Sequence, residues 1–579
     1  MKKPSLLIIL ICIINLCFSQ TYSYKEYRKE IRPTKNLIVM IPDGTSIGVV
    51  SAARWYKIYN KTGASLNIDP YICGTVKTHS SNAPIGDSAP TTSCYMTGML
   101  QQTGNISIYP ETNSGNDLAE IDRNMAYQPL ATILEAAKIE QNKSTGLVVT
   151  CEFPHATPAD CAAHHYSRKN YKSIASQMAY QNLDVMFGGG NDYVSDDMKL
   201  HFENQNIKYL KDNIFAFRNL KTEKAWALFG DKEQPFDLDR NKNSIPSLEE
   251  MTRKALDILS RNENGFFLMV EGSKIDWAAH ANDATGCITE FIAFDNAVGA
   301  VMEFALKDGN TTVIIMPDHG TGGFSIGEYN LKGYDKASLE KLFGQVSKYK
   351  KTAEGLEKIL LNENPEKFRT VIKKHTDIDI TDEEYVKLLN AKNYKAENYV
   401  KINENQNMNV ILVQIMNLRT HFGFSTYGHT GEEVFLAAYH PQGDIPIGMN
   451  TNIEINHYLS DVIGLQTKLP DLTGKIFAKH SEVFAGFETI KIDDTDEMNF
   501  NKIFNNSEQN SKFIYIDKTK EFPSLIVKNN DNILEIPAFK SVAYLNGQRF
   551  DIGSVTVYID KNDMFYLSEK LKKKIIVEQ

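Results

Sequence analysis

Residues 265–280 read Gly-Phe-Phe-Leu-Met-Val-Glu-Gly-Ser-Lys-Ile-Asp-Trp-Ala-Ala-His, and this stretch decides the architecture. An unbroken apolar run from Phe266 to Val270 fits a strand buried on both faces, the kind found in a parallel sheet covered by helices. The run stops at Glu271, and the polar stretch that follows is compatible with a helix. On such a helix Asp276 and His280, four residues apart, share one face. A carboxylate and an imidazole one turn apart suit Zn²⁺, although alone they are better described as a hydrogen-bonded pair on a surface helix.

The same pattern recurs along the chain. Asn36–Ile41 ends at Pro42-Asp43-Gly44, Gly146–Thr150 leads through Cys151-Glu152-Phe153-Pro154 to His155, and Thr312–Met316 ends at Pro317-Asp318-His319. Helical segments are expected between these runs, at 119–139 and 284–306. The pattern predicts an α/β fold with a central, mostly parallel sheet sandwiched by helices. Ligand sites in such sheets lie beyond the carboxyl ends of the strands, where each of these runs delivers an Asp, Glu or His.

The chain has 579 residues, 42% hydrophobic and 23% charged, which is a globular composition. With 63 basic against 72 acidic residues and a net charge of −9, it lacks the basic excess of a protein that holds nucleic acid through its phosphates. Residues 1–19 read as a secretory signal peptide: Lys2 and Lys3 open it, Leu6–Phe18 is a short apolar run, and Cys17 and Ser19 are small residues before a cut at Gln20. The expected location is periplasmic or secreted, with no membrane anchor after cleavage. Five cysteines then remain, Cys73, Cys94, Cys151, Cys161 and Cys287; an odd number cannot all pair internally, and most are read as buried thiols.

Residues 20–487 are expected to form one catalytic domain. Within it, 326–420 is a Lys/Glu-rich, mostly helical insertion over or beside the site, with Leu339, Leu342, Phe343 and Val346 at helical spacing. Residues 488–579 read as a small β-rich module with runs at 512–517, 524–528, 533–537, 542–550 and 554–560, and a hairpin signal at Asn546-Gly547.

Further residues join the chemistry. Gly86-Asp87-Ser88-Ala89-Pro90 precedes a helix-compatible stretch, so Ser88 would face an anion at a helix N-terminus. His155-Ala-Thr157-Pro158 is followed by Arg168, whose guanidinium could clamp a phosphate. His429 lies in the Gly-flanked loop Tyr427-Gly-His-Thr-Gly-Glu432. Asp43, Asp276, Asp318, Glu271, His280, His319 and His429 together are enough for two or three metal ions.

Taken in order, Asp43-Gly44, Asp87-Ser88-Ala89, His155-x-Thr157-Pro158 with Arg168, Glu271…Asp276…His280, Asp318-His319 and His429-Thr430-Gly431 resemble the alkaline phosphatase family, over about residues 35–440. The resemblance implies a phosphate monoesterase with Ser88 as nucleophile. It implies one zinc held by Asp276, His280 and His429, a second held by Asp43, Asp318 and His319, and a third site, usually Mg²⁺, bound by Asp43, Thr157 and Glu271. It further implies Arg168 on the phosphoryl oxygens, beside Asp87, and a homodimer. Two positions depart from the commonest pattern: His155 stands where some members carry Asp, bearing on the third metal, and Trp277 stands near the substrate where others carry Lys or His.

The nearest alternatives are a phosphodiesterase or sulfatase with the same metal core. The sulfatase signature wants an Arg two residues after the proline, and Thr92 stands there. Diesterases of the superfamily often use Thr and lack the third-site Glu. A non-catalytic phosphate- or glycan-binding protein is the alternative from another class.

Overall fold

The computed structural model describes residues 30–392, 407–490 and 512–576. The expected signal peptide lies outside the described residues, as does part of the expected insertion.

Ten strands build the central sheet: β1 (Asn36–Ile41), β2 (Ile72–Lys77), β3 (Ser144–Glu152), β4 (Val185–Gly189), β5 (Lys208–Lys211), β6 (Ala225–Leu228), β7 (Phe266–Glu271), β8 (Thr311–Ile315), β9 (Val434–Tyr439) and β10 (Gly448–Thr451). Their spatial order is β10-β2-β9-β8-β1-β7-β3-β4-β6-β5. All neighbours are parallel except β9, which runs antiparallel to both β2 and β8. Every residue of β1 and β7 is buried. That is why these strands read as continuous apolar runs rather than alternating ones. Each such side chain contributes about 1.5–3 kcal/mol by leaving water.

Helices cover the sheet, among them Leu248–Leu259 and the 25-residue Ala284–Asp308, which pack against each other. The latter matches the expected helix at 284–306. The expected helix at 119–139 is much shorter: Ile133–Gln141 is helical, preceded by irregular chain with one 3₁₀ turn at Arg123–Met125. A capping box fixes that start. Thr132 Oγ1 accepts from Glu135 N–H while Glu135 accepts from Thr132 N–H, which ends the helix on its N-terminal side.

The segment between Ile326 and Phe422 leaves and rejoins the core through two short antiparallel pairs, Ser325–Ile326 with Phe422–Gly423 and Gly320–Thr321 with His429–Thr430. Its described part is helical, including Ala353–Leu361, Phe368–Thr376, Asp382–Ala391 and Met408–Asn417. The run Leu339–Val346 is not one helix: it is Leu339–Phe343, a break at Gly344, then a 3₁₀ turn at Val346–Lys348.

Beyond the core lies a separate six-stranded sheet, from Glu488–Thr489 through Gln548–Asp551. The expected single run at 542–550 is a hairpin of Val542–Leu545 and Gln548–Asp551. Its turn residues Asn546 and Gly547 have φ of 50° and 81°, the left-handed pair that a two-residue turn needs. Among the described residues no helix is long and apolar enough to cross a membrane.

Candidate active site

Parallel order explains the site. Strands β8, β1, β7 and β3 are neighbours in that sequence, so their carboxyl ends share one edge. From β8 to β3, this edge delivers Asp318 and His319, Asp43, Glu271, and His155, which begins the helix Ala156–Ala162. The helix Lys274–His280 follows β7 and places Asp276 and His280 beside them. His429 comes from far along the chain and is pinned by its pairing with Thr321.

Three groups of metal-ligating side chains result, and two are those expected from the sequence: Asp276 with His280 and His429, and Asp43 with Asp318 and His319. In the first, His280 Nε2 lies 3.0 Å from His429 Nε2 and 3.5 Å from Asp276 Oδ2. His280 Nδ1 faces the Tyr427 carbonyl at 2.6 Å, and His429 Nδ1 faces the Gly86 carbonyl at 2.8 Å. A carbonyl only accepts, so each Nδ1 carries the proton and each Nε2 turns its lone pair inward. Two lone pairs and a carboxylate converging on one point call for a cation.

In the second group, His319 Nε2 lies 3.4 Å from Asp318 Oδ2 and 3.5 Å from Asp43 Oδ1, and 3.2 Å from Ser88 Oγ. His319 Nδ1 faces the Gly320 carbonyl at 3.2 Å, which again turns Nε2 inward. Ser88 is the first residue of the fully buried helix Ser88–Thr97, after Asp87 as N-cap. Gly44, at φ +62°, lets the chain pass so close that a Cβ there would sit 2.3 Å from Asp276 Oδ1.

The third group is Glu271 with Cys151 and His155, where Asp43, Thr157 and Glu271 were expected. Buried atoms without a hydrogen-bond partner include Glu271 Oε1, Thr157 Oγ1, His155 Nδ1 and both carboxylate oxygens of Asp43; Asp318 Oδ2 adds another in the second group. Orphaned buried oxygens are costly unless a cation satisfies them, so the residues present fit divalent metal ions. Cys151 also comes near, its Sγ 3.5 Å from Glu271 Oε2. The thiol donates to that oxygen and leaves Oε1 as the atom turned to the pocket.

Electrostatics agree. Burial, with Asp318, Asp276 and Glu271 nearby, drives the Asp43 carboxyl well above its usual range. Burial pushes Glu271 up to about 8. Burial also opposes ionisation of Asp276, but His280, His429 and His319 outweigh it and hold that carboxyl well below its usual range. Burial and Arg168 hold His155 down to about 3, and burial and His319 hold His429 down to about 4, so both imidazoles are neutral; the inward Nε2 lone pair of His429 is free for a metal, whereas that of His155 is taken by Arg168.

Arg168 Nη1 donates to Asp87 Oδ1 at 2.5 Å, and Nη2 donates to His155 Nε2 at 3.2 Å. The Trp277 ring packs edge-on against His155, with centroids 5.9 Å apart. Contacts thus link Arg168, Asp87, His155 and Trp277 to one another, and Ser88 to the Asp43, Asp318 and His319 group. The sequence did not single out Thr321, whose Oγ1 donates to Asp276 Oδ1 at 2.7 Å, or Glu432, which accepts from Ser46 Oγ at 2.5 Å and from Thr430 Oγ1 at 2.9 Å. Cys151, which with Cys161 is the most tempting disulfide pair in the sequence, is a free buried thiol. All five described cysteines are free, and all but Cys73 are buried.

The sequence profile of the family described as Alkaline phosphatase matches residues 34–465. Alkaline phosphatase 3 of Bacillus subtilis (strain 168) is 33% identical over 452 residues, covering 76% of this chain and 90% of that protein. The crystal structure of a cold-active alkaline phosphatase from a psychrophilic Shewanella species superposes with a TM-score of 0.63 at 26% identity, covering 74% of this chain and 99% of that one. An alkaline phosphatase from the Antarctic bacterium TAB5, in a histidine-to-aspartate variant with Mg bound in its M3 site, gives a TM-score of 0.52 at 25% identity, covering 76% and 100%. The strand-end carboxylates and imidazoles thus belong to a fold and sequence shared along most of the chain, and the chain belongs to the alkaline phosphatase family, enzymes that hydrolyse phosphate monoesters.

Proposed function

We propose that the protein hydrolyses small-molecule phosphate monoesters through a phosphoserine on Ser88, using two zinc ions and one magnesium ion. The observation that carries this reading is the convergence of inward-facing imidazole nitrogens and orphaned carboxylate oxygens on a point next to the Ser88 hydroxyl. Asp276, His280 and His429 would hold one zinc, and Asp43, Asp318 and His319 the other. Asp43, Thr157 and Glu271, an all-oxygen set, suit magnesium, with His155 beside them. Bound zinc supplies Lewis acidity, lowering the pKa of a hydroxyl or water and stabilising a departing alkoxide.

The chain's own groups do the rest. Ser88 Oγ gives its proton to solvent and forms the bond to phosphorus as the alcohol oxygen leaves from the opposite side and takes a proton from water. The helix N-terminus behind Ser88 favours the anionic phosphoryl group through its N–H groups and dipole. Arg168 presents its fork to two phosphoryl oxygens, and Asp87 holds the fork in place. Burial leaves His155 neutral, so it adds no charge that would trap the product. Water then opens the phosphoserine from the side the alcohol left, and the two displacements give net retention at phosphorus.

The chain is also read as secreted or periplasmic and homodimeric, with 20–487 as its catalytic part and 488–579 as an appended module. Ser88→Ala is expected to lower phenyl phosphate hydrolysis about a thousandfold or more while leaving metal content unchanged. Unchanged turnover rejects Ser88 as nucleophile.

A further inference from the structure

Lys274 is a buried ammonium that the reaction outlined above does not use. It opens the helix carrying Asp276 and His280, and its side chain is 0% exposed. Its Nζ has no hydrogen-bond partner. It lies 4.1 Å from the centre of the Phe236 ring and 4.8 Å from that of Trp277. Among the described residues the one carboxylate within ion-pair distance is Glu354, with Oε2 at 3.6 Å.

A buried ammonium is costly unless its charge is compensated, and aromatic faces plus one carboxylate provide that compensation. Glu354 belongs to the segment inserted between Thr321 and His429, and the start of its helix is fastened to the core at several points. Ala353 N–H donates to Asp283 Oδ2 at 2.9 Å, and Thr352 Oγ1 donates to Asp239 Oδ2 at 2.5 Å. A Cβ on Gly355 would sit 2.2 Å from Asp239 Oδ1, so the helix start approaches Asp239 as closely as glycine allows. The carboxylate is thereby presented at a fixed point.

From Lys274 the contacts run inward without a gap. Trp277, one helical turn on, packs against His155, and His155 accepts from Arg168 Nη2. We propose that Lys274, held by Glu354 of the inserted segment, is a positioning residue for phosphoryl binding: it fixes the Trp277 indole against His155 and so sets where the Arg168 guanidinium stands. The inserted segment then acts on the site through one ion pair. The inference rests on the reading of Arg168 as the group that grips the phosphoryl oxygens.

The test compares the full-length metal-loaded protein with Glu354→Gln, Lys274→Met and Lys274→Arg. Each is assayed for phenyl phosphate kcat and KM, the inhibition constant of inorganic phosphate, and tryptophan emission, to which Trp277 is one of three contributors. Glu354→Gln keeps the side-chain volume of a residue that is 25% exposed, and Lys274→Arg keeps the buried charge, so the comparison holds even where Lys274→Met does not fold. E354Q and K274M are expected to raise KM and the phosphate inhibition constant roughly three- to tenfold with kcat within about twofold, to change the emission, and to be rescued in K274R. An active wild-type protein whose phosphate inhibition constant is the same in E354Q overturns this proposal alone. A wild-type protein without monoesterase activity overturns it together with the reading on which it rests.

Discussion

His280 Nε2 and His429 Nε2 face each other at 3.0 Å, with the opposite nitrogen of each ring turned to a backbone carbonyl. Neither nitrogen then carries a proton to share, so the contact is repulsive until a positive charge stands between them. Asp276, within 4 Å of both, marks where that charge belongs. Asp276 and His280 share one helix, His429 lies beyond the whole inserted segment, and the Gly320–Thr321 pairing with His429–Thr430 is what closes the distance.

Metal binding is therefore expected to stabilise the fold. A ligand at a thousand times its dissociation constant contributes about 4 kcal/mol per site. Thermal unfolding of the protein after chelation and after zinc addition checks this. The expected result is a melting temperature that rises with zinc, and a smaller rise in His429→Ala.

Acid should weaken the metal-free protein within a defined window. Burial and His319 hold His429 down to about 4, against 6.5 for the unfolded residue. Between those values the unfolded chain binds more protons, so stability falls as pH drops from 6.5 towards 4 and this contribution is fully lost below that. Denaturant unfolding of the chelated protein across this range should show the loss, and His429→Gln should make it smaller, with buried His155 keeping its own share.

Glu271 titrates in the opposite sense. Burial raises it to about 8, above its ordinary 4.5, so in the metal-free protein it is protonated at neutral pH. Its stabilising contribution is present below 4.5 and is lost as pH rises through about 8. Cation binding at the third site must then expel a proton. Titration calorimetry with magnesium at neutral pH, in buffers of different ionisation enthalpy, is expected to show net proton release, smaller in Glu271→Gln.

Gly44→Ala should damage the site more than the fold. The added methyl would meet Asp276 Oδ1 at 2.3 Å, and φ of +62° strains any L side chain there. The expected cost is about 1–3 kcal/mol in stability, together with weaker zinc binding and a loss of about a hundredfold in kcat/KM. Equilibrium unfolding and zinc titration of the variant separate the two effects.

Much of the site was legible because buried parallel strands write themselves as apolar runs that stop abruptly. Asp43, Glu271 and Asp318 follow such stops directly, and strand order then makes them neighbours. The supports were not legible. The Tyr427 and Gly86 carbonyls that orient two histidines leave no trace in residue type. Thr321 and Glu432 carry ordinary polar side chains whose partners are set by tertiary contacts. Lys274 carries no signal of burial in the sequence, and it is Glu354, Phe236 and Trp277 that close around it. Local chemistry also overrode periodicity where the Thr132 capping box shortened one helix, whereas the Asn546-Gly547 turn signal was legible and does divide the 542–550 run into two strands.

The most direct test of the central claim is metal content measured beside activity on the purified full-length chain, before and after exhaustive chelation. The account predicts three divalent ions per chain, loss of phenyl phosphate hydrolysis when they are removed, and its return on adding Zn²⁺ with Mg²⁺. Full hydrolytic activity in protein stripped of divalent ions would contradict it.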